Sequence, residues 1–400
     1  MNEKVNKIRK MKRLKSLLFI IGVFNFYNSL GQEFSFNQGG AAQKDYYEVI
    51  PYETNGDKIF INLEVNGKIR KFLFDTGSTT LICENLFKEI HPTLIYKQLV
   101  VDMYKNKDSL KVVSLNELML GSTIFNSIPA SVMQSPPDWF KCLNVEGIIG
   151  SNMLRNSIVQ ISSINHTITI TDNQKKLALS KDNVSKLKLN KSSNPFIKIS
   201  INKIPLEVIF DTGNGSFFSL SNGMMNNIIK REKNKPFETI STGFGSSSFG
   251  LFGAENNTEV FRLKIPLLQI NKGKFKNTIV ETSSIVQSSI GSKLLNYGTV
   301  TLDYLNKNFY FEPFESEINT EEKKWPISPT VINGQVVVGI VWGDIKGEIN
   351  LGDKIITVDS TNYENWDICK SNLGLKDKNR ATLTLKDKKG EIKQIEIQKK

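Results

Sequence analysis

Histidine is nearly absent from this 400-residue chain, which has two, and cysteine is scarce, with three. His91 and His166 cannot furnish a Ser-His-Asp triad or a histidine-rich metal site, and both read as surface residues. Cys83, Cys142 and Cys369 lie far apart with no paired spacing, which argues against a disulfide framework and against a zinc site. A Cys83–Cys142 bridge stays open for an exported chain. A long apolar run is missing too. The stretch SLLFIIGVF near the start is followed at once by Asn25, Tyr27 and Asn28, well short of the roughly 20 residues that span a bilayer. Because seven Lys or Arg precede or border this run against one acid, Glu3, residues 1–31 read as a secretory signal peptide cleaved before Gln32. Met11 is an alternative start, and a retained membrane anchor is the competing reading. The expected location is therefore the periplasm, the cell envelope or the exterior. Much of the formal charge of +12 sits in that segment. Without it the net charge is about +6 and dispersed, which removes the case for a nucleic-acid partner.

What the chain does contain is a repeat. FINLEVNGKIRKFLFDTGST (60–79) lies over FIKISINKIPLEVIFDTGNG (196–215) without a gap, matching Phe60 to Phe196, Asn66 to Asn202 and Phe74 to Phe210. Further along, GIIGSNML (147–154) matches SSIGSKLL (288–295), and IVQISSINHTITI matches TVTLDYLNKNFYF. Both pairs of segments alternate apolar and polar residues around turns, the pattern of short strands and hairpins. The chain thus carries two copies of one mainly β unit, each of roughly 130 residues. The expected layout is a signal peptide over 1–31, a first lobe over 32–178, a second over 179–318 and a further unit over 319–400.

In each copy an apolar strand runs into an aspartate, Asp75 or Asp211. A charged carboxylate at the end of a buried strand is costly unless it is hydrogen-bonded, paired or functional. If the two copies pack about a two-fold axis, the carboxyls meet. Two carboxyls about 3 Å apart cannot both ionise easily and share a proton. One can then take a proton from a water while the other polarises a carbonyl. This chemistry needs no metal, nucleotide or other cofactor.

The pair FDTGS and FDTGN, with IIG at 148–150 and SIG at 289–291, resembles the aspartic proteases, specifically bacterial retropepsin-like or pepsin-like proteins with two lobes on one chain. The resemblance implies a bilobal β-barrel pair with pseudo-two-fold symmetry and a monomeric endopeptidase that hydrolyses peptide bonds in peptides or proteins. It makes Asp75 and Asp211 the catalytic pair. Thr76 and Thr212 would hydrogen-bond across the lobe interface, and Gly77 and Gly213 would make the turn. Ser78 would hydrogen-bond the carboxylate, with Asn214 departing from the usual Ser or Thr. Ile149-Gly150 and Ile290-Gly291 would brace the loop beneath each aspartate. A covering flap is expected over 100–115 with Tyr104 near its tip, and a second mobile one over 243–255, which includes Gly245.

After Pro313 a charged linker leads to a third unit, in which LGDKIITVDS (351–360) resembles an element of bacterial PDZ domains. That likeness implies a small α+β unit that could recruit substrate by strand addition. Two rivals stand beside the peptidase. A sugar-kinase or actin-type ATPase also repeats an Asp-x-Gly loop, but long amphipathic helices and an adenosine-binding glycine pair are lacking. A non-catalytic envelope protein with a decayed protease fold would merely hold peptides.

Overall fold

The computed structural model describes residues 34–232, 236–345, 347–364, 369 and 374–400, so residues 1–31, the expected signal peptide, lie outside the described residues. Residues 36–400 form one compact unit. The fold is mainly β. Its two halves begin with the same hairpin: Lys58–Val65 pairs with Lys68–Asp75, and Pro195–Ile201 pairs with Ile204–Asp211. The turns explain why these are hairpins. Asn66 and Gly67 both have positive φ (54° and 70°), as do Asn202 and Lys203 (44° and 71°), the two-residue turn whose twist matches that of the flanking strands.

Each aspartate-bearing strand then gains a parallel neighbour from about 75 residues later. Lys68–Asp75 runs beside Gly147–Gly150, and Ile204–Asp211 runs beside Ser289–Gly291. Such a crossover places Ile149 against Phe74 and Ile290 against Phe210, all four fully buried. The first half completes an eleven-stranded sheet, which includes the long hairpin Thr93–Val101 and Lys107–Leu115.

The halves share a six-stranded sheet. At its centre Ile158–Ser162 pairs antiparallel with Gly298–Asp303. Gln160 faces Thr301, its own repeat equivalent, while Val159 faces Leu302 and Ile161 faces Val300. The pseudo-two-fold axis therefore passes through the Gln160–Thr301 pair, whose side chains are hydrogen-bonded at 3.1 Å. A single apolar core continues across the axis, joining Phe74, Ile149 and Ile161 to Phe210, Ile290 and Phe309.

The C-terminal strands carry their own apolar core, with Val338, Ile355, Leu383 and Leu385 at its centre. They are nonetheless part of the second half's sheet, because Gln335–Trp342 pairs antiparallel with the strand Glu238–Gly245. A second tie is covalent: Cys142, in the first half, is bonded to Cys369. The open Cys83–Cys142 alternative is thereby corrected, and Cys83 is a half-buried free thiol. His91 and His166 are both exposed. No helix among the described residues is long and apolar enough to cross a membrane.

Candidate functional site

The structure brings the two aspartates together where the halves meet. A reciprocal set of bonds does this. Thr76 Oγ1 donates to Phe210 O (2.7 Å) and accepts from Thr212 N–H (3.1 Å). Thr212 Oγ1 donates to Phe74 O (2.9 Å) and accepts from Thr76 N–H (3.0 Å). Both threonines are completely buried, so each bond satisfies a group that would otherwise be stranded away from water.

Glycine is needed at the next position because of what lies opposite. A Cβ on Gly77 would come within 2.4 Å of Asp211 Cγ, and one on Gly213 within 2.3 Å of Asp75 Cγ. The loops are braced from below in the same paired way. Ser151 N–H donates to Ser78 O (3.0 Å), and Ser292 N–H donates to Asn214 O (2.8 Å). Gly150 and Gly291 permit that contact, since a Cβ there would lie 2.5 Å from Ser78 O and 2.3 Å from Asn214 O respectively.

Asp75 Oδ1 accepts from Gly77 N–H (2.8 Å) and Asp211 Oδ1 from Asn214 N–H (3.2 Å). Each carboxyl thus lies against the glycine of the opposite loop, which sets the two face to face. Burial first, and the Asp211 carboxyl second, hold Asp75 well above the usual carboxylate range; the Lys58 ammonium and the Gly77 N–H act in the opposite direction. The pair is thus built to keep a proton that an exposed aspartate would lose.

Two expectations, for Ser78 and Gly245, are corrected here. The Ser78 hydroxyl donates to Thr79 O (2.9 Å), so the bond to the carboxyl comes from the backbone. The Asn214 amide is directed to Ser219 and Ser289 Oγ, both at 2.8 Å, and it is the Asn214 N–H that reaches Asp211. Gly245, expected in a mobile covering loop, lies in a paired strand. It pairs with Thr258 on one side and Ile340 on the other, and its φ of 132° accompanies an approach in which a Cβ would sit 2.0 Å from Gly339 O. The first flap is a hairpin whose tip, Asp102 to Asn106, is tied by bonds from Tyr104 and Asn106 N–H to Asp102 Oδ1 (both 2.9 Å). Tyr104 is 9% exposed.

Sequence reasoning missed Lys58 and Asn194. Lys58 Nζ donates to Gly213 O, on the loop opposite Asp75. Asn194, its counterpart in the repeat, donates to Thr76 O (3.3 Å) and Ser78 O (3.2 Å). A lysine at a strand start resembles any solvated charge. The signal that could have found the pair is the repeat itself, which sets both residues two positions before a matched phenylalanine.

An apolar patch borders the pair. Strand alternation puts Leu73 on the same face as Asp75. Phe60, Leu73, Ile148 and Leu81 stand side by side on four neighbouring strands, and Met133 and Phe140 complete the cluster.

The aspartyl protease family model matches residues 61–153, the stretch that holds Asp75 and its parallel neighbour. No curated protein matches the chain in sequence. Among solved structures, the chain is similar to basic 7S globulin from soybean, at 11% identity and a TM-score of 0.39, over 67% of this chain and 95% of that one. It is also similar to conglutin gamma, a basic 7S globulin from lupine seeds, at 12% identity and a TM-score of 0.37 over the same shares. Likenesses this distant carry no argument about function. The family match and the geometry together give the chain an aspartyl-protease-like fold.

Proposed function

We propose that the protein is an exported aspartic endopeptidase that acts as a monomer on peptides or proteins, with residues 319–400 forming a PDZ-like unit. The observation that carries this reading is that Asp75 and Asp211 face one another, each carboxyl against the glycine of the opposite loop, and are held there by the buried threonine pair. A water between the carboxyls would lose a proton to the ionised one as its oxygen bonds to the scissile carbonyl carbon. The protonated carboxyl would pass its proton to the carbonyl oxygen. Breakdown of the resulting diol breaks the C–N bond as a proton moves to nitrogen. Neither step needs a nucleotide or any other cofactor.

The test is single replacement of each aspartate. Asp75→Asn and Asp211→Asn should each lower cleavage of an unfolded protein substrate by at least the 10² to 10⁴-fold typical of losing a general acid or base. A statine-type mimic of the hydrated peptide should inhibit the wild type. Wild-type cleavage by either variant would end the assignment, and peptide binding without any turnover would return the chain to a purely binding role.

A further inference from the structure

The apolar cluster beside Asp75 is covered by Cys83, Leu143 and Val145 of its own half and by one side chain from the other half of the molecule. After the strand Glu238–Gly245 the chain forms a short hairpin: Phe249 pairs with Ala254, Gly250 N–H donates to Gly253 O (2.8 Å) and Glu255 N–H donates to Ser248 O (3.0 Å). Its tip reads GLFG. A hairpin tip is normally polar, and leucine and phenylalanine there need a reason. The reason is that Leu251 packs against the first-half cluster that contains Leu73, Ile148 and Phe140.

Two further contacts hold the hairpin down, both at the tip of the first flap. Phe252 N–H donates to Asp102 Oδ2 (3.1 Å), and Asn106 Nδ2 donates to Ala254 O (3.5 Å). Gly250 lies so close that a Cβ would fall 2.2 Å from Asp102 Oδ2. At its base, buried Glu255 accepts from Ser284 N–H (2.6 Å). Flap and hairpin therefore close on each other, and the segment that closes them carries its own aliphatic plug.

We propose that the hairpin 248–255 is an intramolecular inhibitor, in which Leu251 takes the place of a large aliphatic side chain of an extended peptide and must lift out before such a peptide can bind. This rests on the peptidase reading of the site. A ligand that binds only the lifted form loses apparent affinity in proportion to how rarely that form is populated. Leucine burial of the size available at a half-buried position corresponds to a factor of about five to twenty.

The experiment compares the full-length wild type with Leu251→Ser, which removes the plug, and Gly250→Ala, whose Cβ pushes the hairpin off Asp102. The probe is a fluorescent leucine-containing peptide with a reduced, uncleavable bond, followed by anisotropy, alongside cleavage of the corresponding amide. Both variants should bind the probe about five- to twentyfold more tightly and show a KM lowered by a similar factor, with kcat little changed. Equal affinity in all three proteins overturns the proposal. So does weaker binding by Leu251→Ser, because Leu251 would then be lining the site and not filling it. If the variants bind more tightly but nothing is cleaved, the plug stands and the peptidase reading falls.

Discussion

Asp75 sits where its charge is unwelcome, and that fact can be read in the stability of the fold. Its carboxyl is held above the usual range by burial and by Asp211, while in the unfolded chain it would titrate near the ordinary value of about 3.9. The folded state thus keeps a proton that the unfolded state gives up, so stability falls as pH rises from about 4 through the folded value. Asp75→Asn removes this dependence. In urea unfolding it should match the wild type near pH 3.5 and exceed it at pH 7. Lys58→Met should act in the opposite direction, since the ammonium near Asp75 favours the ionised form, and its loss should deepen the wild-type decline at pH 7. A flat comparison across that window would show that the pair is solvated. The aspartates, threonines and glycines were legible because the repeat states them twice. Lys58 was not, because its importance comes from Gly213 of the opposite half, and nothing in the sequence near residue 58 announces that contact.

At the scale of elements, the strands that carry the site follow from alternation and from Asn turns, whereas the glycine-rich stretch 243–255 does not. Gly243 and Gly245 read as loop, yet they are strand residues, paired with Val260 and Thr258 on one side and on the other with Trp342 and Ile340, from about a hundred residues later. Pairing partners that distant outweigh local preference. Distance also hid the disulfide, since Cys142 and Cys369 are 227 residues apart. The bridge ties the segment after Phe140, which caps the apolar patch, to the C-terminal strands. Replacing both cysteines by serine should cost about 2–5 kcal/mol, the usual range for losing a native bridge. Urea unfolding with and without reductant checks this. An unchanged midpoint would mean that the noncovalent contacts alone fix the C-terminal strands in place.

For the whole molecule, the question is whether the C-terminal unit is a tethered recruiter or part of the machine. A recruiter would hang on its linker. Here Ser246 N–H donates to Gly339 O (2.9 Å) immediately before the plug hairpin, so the same strand that leads into the hairpin is hydrogen-bonded to the C-terminal unit. Trp342 is 2% exposed, packs with Ile340 and Val260, and has the Arg262 guanidinium 4.3 Å from its ring. Arg262 in turn donates to Glu281 (2.6 Å) and to Trp325 O (3.1 Å). Trp342→Ala should therefore cost about 3–5 kcal/mol, as large aromatic deletions do in a packed core. The loss should appear in the unfolding of the second half as well as of the C-terminal strands, because one sheet runs through both. A freed hairpin base should also let Leu251 leave its patch more often, so the KM for short peptides should fall along with stability. If Trp342→Ala unfolds the C-terminal strands in a separate early transition and leaves short-peptide KM untouched, the unit is a tethered recruiter after all.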